Sequence, residues 1–115
     1  MKTYTGMILN EPHPDTERYV IVHNSVGELV HRLKERQDLY NHSPTGFSWG
    51  YNGSGPAQLA LAILADCYDD EAAMRWHQDF KEAFIARLDM DSSFTLTESA
   101  IAAWMRRVLL KREPA

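Results

Sequence analysis

Residues 41–64, NHSPTGFSWGYNGSGPAQLALAIL, decide how the rest of the chain is read. From Pro56 onward the stretch is apolar nearly all round, through Leu59, Leu61, Ile63 and Leu64. A helix without a polar face has to be enclosed by other elements, so this one belongs at the centre of a core. Pro56 suits the first helical position, where its missing N–H is an orphan in any case. Ahead of it, Phe47, Trp49 and Tyr51 alternate, which at strand spacing places them on one face. Gly50, Gly53 and Gly55 then let the backbone turn from an aromatic strand into the helix.

Working outward, "KTYTGMIL" at 2–9 and "RYVIVH" at 18–23 read as strands. Val20, Ile21 and Val22 are β-branched, and Tyr4 and Tyr19 suit a pleated surface. Between them "NEPHPDTE" carries two prolines and reads as the loop of a hairpin. Residues 25–40 give mixed signals. Ser25 and Glu28 form a capping-box pattern ahead of Val26, Leu29, Val30 and Leu33, while "LVHRL" also suits a short strand. The segment is taken as a short helix or an irregular arm. Beyond the central helix, Asp69 or Asp70 begins a second one, with Ala73, Trp76, Phe80, Phe84 and Leu88 at the helical period. "LDMDSSF" ends it. Thr97 caps a third helix, whose inner stripe is Ile101, Trp104, Met105, Val108 and Leu109. The expectation is an α+β fold, a small antiparallel hairpin or sheet packed on a three-helix C-terminal half, with residues 1–115 as one domain.

The glycines invite a phosphate-loop reading, but the spacing Gly50-x-x-Gly53-x-Gly55 matches neither G-x-G-x-x-G nor the P-loop. No lysine or arginine lies between Asn41 and Ala65, and Pro56 removes one donor from the helix start. Phosphate binding at this point needs Arg18, Arg32 or Arg36 to fold back over the loop. Ser54 fails the nucleophile-elbow pattern, since Asn52 and Pro56 stand where glycines are required. The five histidines show no metal-ligand spacing, and Cys67 has no C-x-x-C partner. Asp66, Asp69, Asp70 and Glu71 read as a solvated helix end with caps. The sequence therefore offers no catalytic residue, no metal site and no cofactor.

The stretch 41–66 resembles the core of an uncharacterised prokaryotic domain family of bacteria, haloarchaea and phages or other mobile elements. That core reads close to NHSPTGFEWGYGGSGPAQLALALL. Weaker echoes are the opening "YTG" and the closing "LTESAIAAWM". Ser48 and Asn52 depart from the pattern, which often has an acidic residue and a glycine there. The resemblance carries no reaction. It implies that Phe47, Trp49, Gly50, Tyr51, Gly53, Ser54, Gly55, Pro56 and Gln58 matter to whatever the domain shares. It also makes a role against or within host defence an expectation.

A turn into a helix needs only some of those residues. The surplus makes Trp49, Tyr51, Asn52, Gly53, Ser54, Gly55 and Gln58 the candidate ligand-binding residues. The expected function is a small, non-enzymatic accessory protein that binds a partner protein or a small ligand through this loop. The rivals are a nucleotide or phosphometabolite protein using the GSGP helix start, and a structural module. For the last, three tryptophans and two apolar helices in 115 residues allow a homo-oligomer. A net charge of −4 argues against nucleic acid and anionic membranes as partners. Asp66 cuts the longest apolar run short of a bilayer span, and the N-terminus has no signal-peptide core, so a cytoplasmic location is expected.

Overall fold

The computed structural model describes residues 1–9 and 17–112. Four antiparallel strands form one sheet in the order β3-β2-β1-β4. They are β1 (Thr3–Leu9), β2 (Glu17–His23), β3 (Leu29–Arg32) and β4 (Phe94–Thr97). Three helices complete the fold: α1 (Ser54–Cys67), α2 (Asp70–Ala83) and α3 (Glu98–Arg112). This is the expected α+β arrangement, with the helices in the C-terminal half. The loop expected at 10–17 lies almost wholly outside the described residues, although β1 and β2 pair in register from Thr3↔His23 to Leu9↔Glu17.

Strand periodicity sets the inner face of the sheet. Tyr4, Val22 and His31 form one row across β1, β2 and β3, and Tyr4 also pairs with Leu96 of β4. The next row holds Gly6 between Val20 and Phe94. The Phe94 ring lies over Gly6 so closely that a Cβ there would stand 2.1 Å from it. Glycine at this position is what lets Phe94 lie flat on β1. The outer face carries Thr3, Thr5, Met7, Tyr19 and Ile21.

Helix α1 is enclosed on every side from Gly55 to Leu64, as its all-round apolar sequence requires. It packs between the inner sheet face and α2, which contributes Ala73, Trp76 and Phe80. Pro56 stands third in α1, after Ser54 and Gly55, and not first. All three positions belong to the first turn, where a missing N–H breaks no helical bond. Asp69 caps α2, its carboxylate accepting from the Ala72 N–H at 2.8 Å. The second helix ends at Ala83, and a single 3₁₀ turn, Ile85–Arg87, follows. Thr97 Oγ1 accepts from the Ala100 N–H at 3.2 Å, so the expected cap of α3 is present. Phe80, Phe84 and Trp104 stack where α3 meets α2.

The aromatic strand expected at 47–51 does not form: Phe47 and Trp49 are buried in irregular chain and Tyr51 turns out to solvent, and Leu109, expected on the inner stripe of α3, is exposed. Two further segments differ from the sequence expectation. The helix considered at 25–40 does not form. Asn24 Oδ1 accepts from both Val26 and Glu28 N–H, and Gly27 takes φ +84°, so the Ser25–Glu28 capping box gives way to a turn. Strand β3 follows, and then an irregular arm. In the other segment, Phe94–Thr97 is a strand that was not anticipated; its inward Phe94 and Leu96 alternate with exposed threonines.

Candidate functional site

The 41–58 loop divides into a buried half and an exposed half. Trp49 is 0% exposed. Its indole meets Phe94 edge-on at 4.9 Å, and its Nε1–H donates to the Ser92 carbonyl at 2.9 Å. Arg18 is the one of the three arginines that reaches the loop. Its guanidinium carbon lies 4.8 Å from the Trp49 ring centre. Phe47 is also buried, whereas Tyr51 is 42% exposed and Asn52 and Ser54 face solvent. The Tyr51 ring lies across the start of α1. A Cβ on Gly53 would come within 2.6 Å of that ring, and one on Gly55 would stand 2.5 Å from Ser48 Cβ. Gly50 takes φ +89° with the Met90 backbone 2.5 Å from where a Cβ would be. The glycines thus admit close neighbours within the protein itself, and Gly53 caps α1 with no side-chain hydrogen bond.

Gln58 is fully buried and spends its amide on the preceding chain. Its Oε1 accepts from the N–H groups of His42 at 2.8 Å and Ser43 at 3.1 Å. Its Nε2 donates to the Glu35 carbonyl at 2.6 Å. One side chain therefore closes two ends of the arm 33–43 onto α1. Gln37 ties the arm internally, donating to Glu35 Oε1 and to the Ser43 carbonyl. Glu35 in turn packs on Gly46, where a Cβ would stand 2.5 Å from its carboxylate. Arg36, next along, is the only non-glycine with positive φ among the described residues, at +60°. A side chain in that region costs on the order of 1 kcal/mol, and such strain persists only where the surroundings hold it.

The other end of α1 carries charge. Asp66 Oδ1 accepts from His31 Nε2 at 2.7 Å. Its Oδ2 accepts from the Tyr4 hydroxyl at 2.8 Å and from Lys2 Nζ at 3.2 Å. Because a carboxylate only accepts, His31 Nε2 carries a proton and donates it. Burial by itself would raise the Asp66 carboxyl. The hydrogen bonds from Tyr4, Lys2 and His31 outweigh it and hold the group below the usual carboxylate range. Burial, then the hydrogen bond to Asp66, keeps Tyr4 protonated. Burial also pushes the adjacent Cys67 thiol up to about 11, so it is not a thiolate at neutral pH.

Between the arm and α1 lies a cleft of about 350 Å³. His31, Arg32, Lys34 and Arg36 line it from β3 and the arm, with Leu33 at its base. Ala62 and Asp66 form the α1 wall. A second depression, about 570 Å³, lies along residues 34–38 and shares Lys34 and Arg36. Arg36 makes a fork to Asp38, with Nε and Nη2 at 3.0 and 3.2 Å, and reaches Asp70 at 3.1 Å. Arg32 meets Glu17 at 2.7 Å and lies over the Tyr19 ring. Lys34 is exposed and has no acidic partner among the described residues.

A pair of histidines braces the arm from the α2 side. His77 Nδ1 lies 2.7 Å from the Ala73 carbonyl and must donate to it. Neutral His77 then accepts at Nε2, so His42 Nε2–H is the donor across the 2.8 Å between them. Burial lowers the basicity of both rings; for His42 the nearness of His77 and Lys81 adds to it.

The structure thus scatters the residues picked out by the sequence. Tyr51, Asn52, Gly53 and Ser54 gather at the surface, while Trp49, Gly55 and Gln58 are buried. The four acids also part company: Asp69 is a cap, Asp70 meets Arg36, Glu71 is exposed in the first turn of α2 and Asp66 holds the sheet to α1. Neither the cleft nor the Asp66 cluster was anticipated. The available signal was the run HRLKER at 31–36, which concentrates basic side chains in an acidic chain.

No curated protein and no solved structure matches the chain significantly. The model of a family of unknown function, DUF6166, matches residues 13–107, and the chain therefore belongs to that family.

Proposed function

We propose that this chain is a small, non-enzymatic binding protein whose ligand site is the cleft between the 31–36 segment and α1. The observation that carries this reading is the Gln58 clamp. A fully buried amide in an apolar helix spends three hydrogen bonds on the backbone at Glu35, His42 and Ser43. Those bonds hold in place the strained arm that walls the cleft. A volume of about 350 Å³ falls at the lower end of the 300–1,000 Å³ usual for ligand pockets, so the ligand is small. Nothing nearby is poised as a nucleophile: the Cys67 thiol is protonated, and Ser54 has no basic hydrogen-bond partner among the described residues. The chain has no helix long and apolar enough to cross a membrane among those residues. The accessory role, in a cytoplasmic and mobile-element setting, goes with this reading.

The test is amide NMR of labelled protein against a mixed library of neutral, cationic and anionic small molecules. The reading expects at least one compound to shift the amides of Lys34, Arg36 and Asp66 together, in a saturable way. A library that leaves those amides unmoved would overturn it. Shifts confined to Tyr51–Ser54 would instead favour the second reading, a partner surface on the exposed half of the loop. That reading is favoured by Tyr51 and Met90, both exposed beside Gly50.

A further inference from the structure

We propose that the cleft takes a small molecule bearing an oxyanion, a phosphate ester or a carboxylate; this rests on the binding-site reading above and names its ligand class. Arg32, Lys34 and Arg36 all line one small cleft in a chain whose net charge is −4. The only acid on the lining is Asp66, and both its oxygens are already occupied by His31, Tyr4 and Lys2. It presents a neutralised wall to a ligand.

The Arg36 guanidinium already holds carboxylates, whereas that of Arg32 lies over Tyr19 on the outer face of the sheet. Asp38 sits in the fork of Arg36, and Asp70 accepts from its Nη2. That planar two-point fork is the geometry that suits carboxylate and phosphate oxygens. Both carboxylates on Arg36 are more than half exposed, with side-chain exposures of 67% for Asp38 and 56% for Asp70. Exposed pairs of this kind are weak, so an oxyanion entering the cleft can exchange with them at little cost. Asp38 and Asp70 are therefore stand-ins that keep Arg36 oriented until an oxyanion displaces them. The backbone under Arg36 is fixed independently of them, by Gln58 on the carbonyl of the residue before it. The guanidinium is thus presented from a preorganised position, which lowers the ordering cost of binding.

The experiment is calorimetric titration with parallel amide NMR, using inorganic phosphate, a nucleoside monophosphate, succinate and an uncharged nucleoside as probes. At least one oxyanion is expected to bind in the micromolar to millimolar range, shift the Lys34 and Arg36 amides and weaken as salt rises. Phosphate and succinate together show which oxyanion is preferred. Lys34→Ala removes an exposed cation and is expected to weaken binding roughly tenfold, the loss of one charge-assisted hydrogen bond. Asp38→Asn removes one of the two competing carboxylates and is expected to tighten binding by roughly two- to fivefold. A gain of affinity cannot come from damage to the fold. If no oxyanion moves these amides, the assignment is overturned. If the uncharged nucleoside binds as well as its monophosphate and Lys34→Ala changes nothing, the cleft is still a binding site but its ligand is not an oxyanion.

Discussion

The two ends of α1 do different work with different chemistry. At its start, glycines and a neutral amide hold neighbouring backbone: Gly50 against Met90, Gly53 and Gly55 under Tyr51, Gln58 on Glu35, His42 and Ser43. At its far end a carboxylate collects a tyrosine and a histidine from two strands and the lysine just ahead of β1. Neutral hydrogen bonds and close packing are insensitive to salt. The ionic end borders solvent and the cleft, where charges can meet a ligand. The conspicuous end of the helix thus holds the arm that walls the cleft, and the inconspicuous end lines the cleft itself.

The largest expected effect lies at the neutral end. Gln58→Met keeps the volume but strands two N–H groups and a carbonyl. At about 1–3 kcal/mol for each unsatisfied buried group, a loss of about 3 kcal/mol or more is expected in urea denaturation. Gly50→Ala comes next, because it meets both positive φ and the Met90 backbone. It should cost about 2–3 kcal/mol, against about 1 kcal/mol for Gly27→Ala, which has positive φ but nothing within 4 Å. Equal losses at the two glycines would break the view that the 41–58 glycines serve close packing.

Acid separates the two ends. His42 and His77 have lowered basicity in the fold, so below about pH 6.5 the unfolded chain takes up protons first and stability falls. Asp66 is displaced downward from the carboxylate range. Its contribution is complete above the ordinary carboxylate value and is lost as pH falls through the lower folded one. The denaturation midpoint should therefore decline in two windows. His77→Gln should flatten the upper window. Asp66→Asn should cost about 1–2 kcal/mol at neutral pH, a difference that shrinks in the lower window. The smallest effect is expected for Glu17→Gln, under about 1 kcal/mol in the same assay, since its pair with Arg32 is exposed.

The helices were legible because their signals are local. An apolar run after a proline, an aspartate cap and a 3.6 period each act within a few residues. Strand β4 carried a signal too, the alternation of Phe94 and Leu96, but the four residues lead straight into the Thr97 cap. The arm was illegible for a physical reason: Asn24 competes for the same N–H groups that a Ser25 cap would need, and only the folded chain decides. The Asp66 cluster depends on register. Tyr4 and His31 meet one carboxylate because Val22 pairs with both. Gln58 stood out as an amide in an apolar helix, yet its partners at 35, 42 and 43 lie on a segment with no periodicity to place them.

Amide hydrogen exchange in the wild type and in Gln58→Met tests most directly whether the clamp builds the cleft wall. The His42 and Ser43 amides should exchange slowly in the wild type and rapidly in the variant. Residues 33–40 should loosen with them, while the amides pairing β1 with β2 keep their protection relative to the lowered global stability. Unchanged exchange at His42 and Ser43, or uniform loosening of arm and sheet alike, would contradict the account.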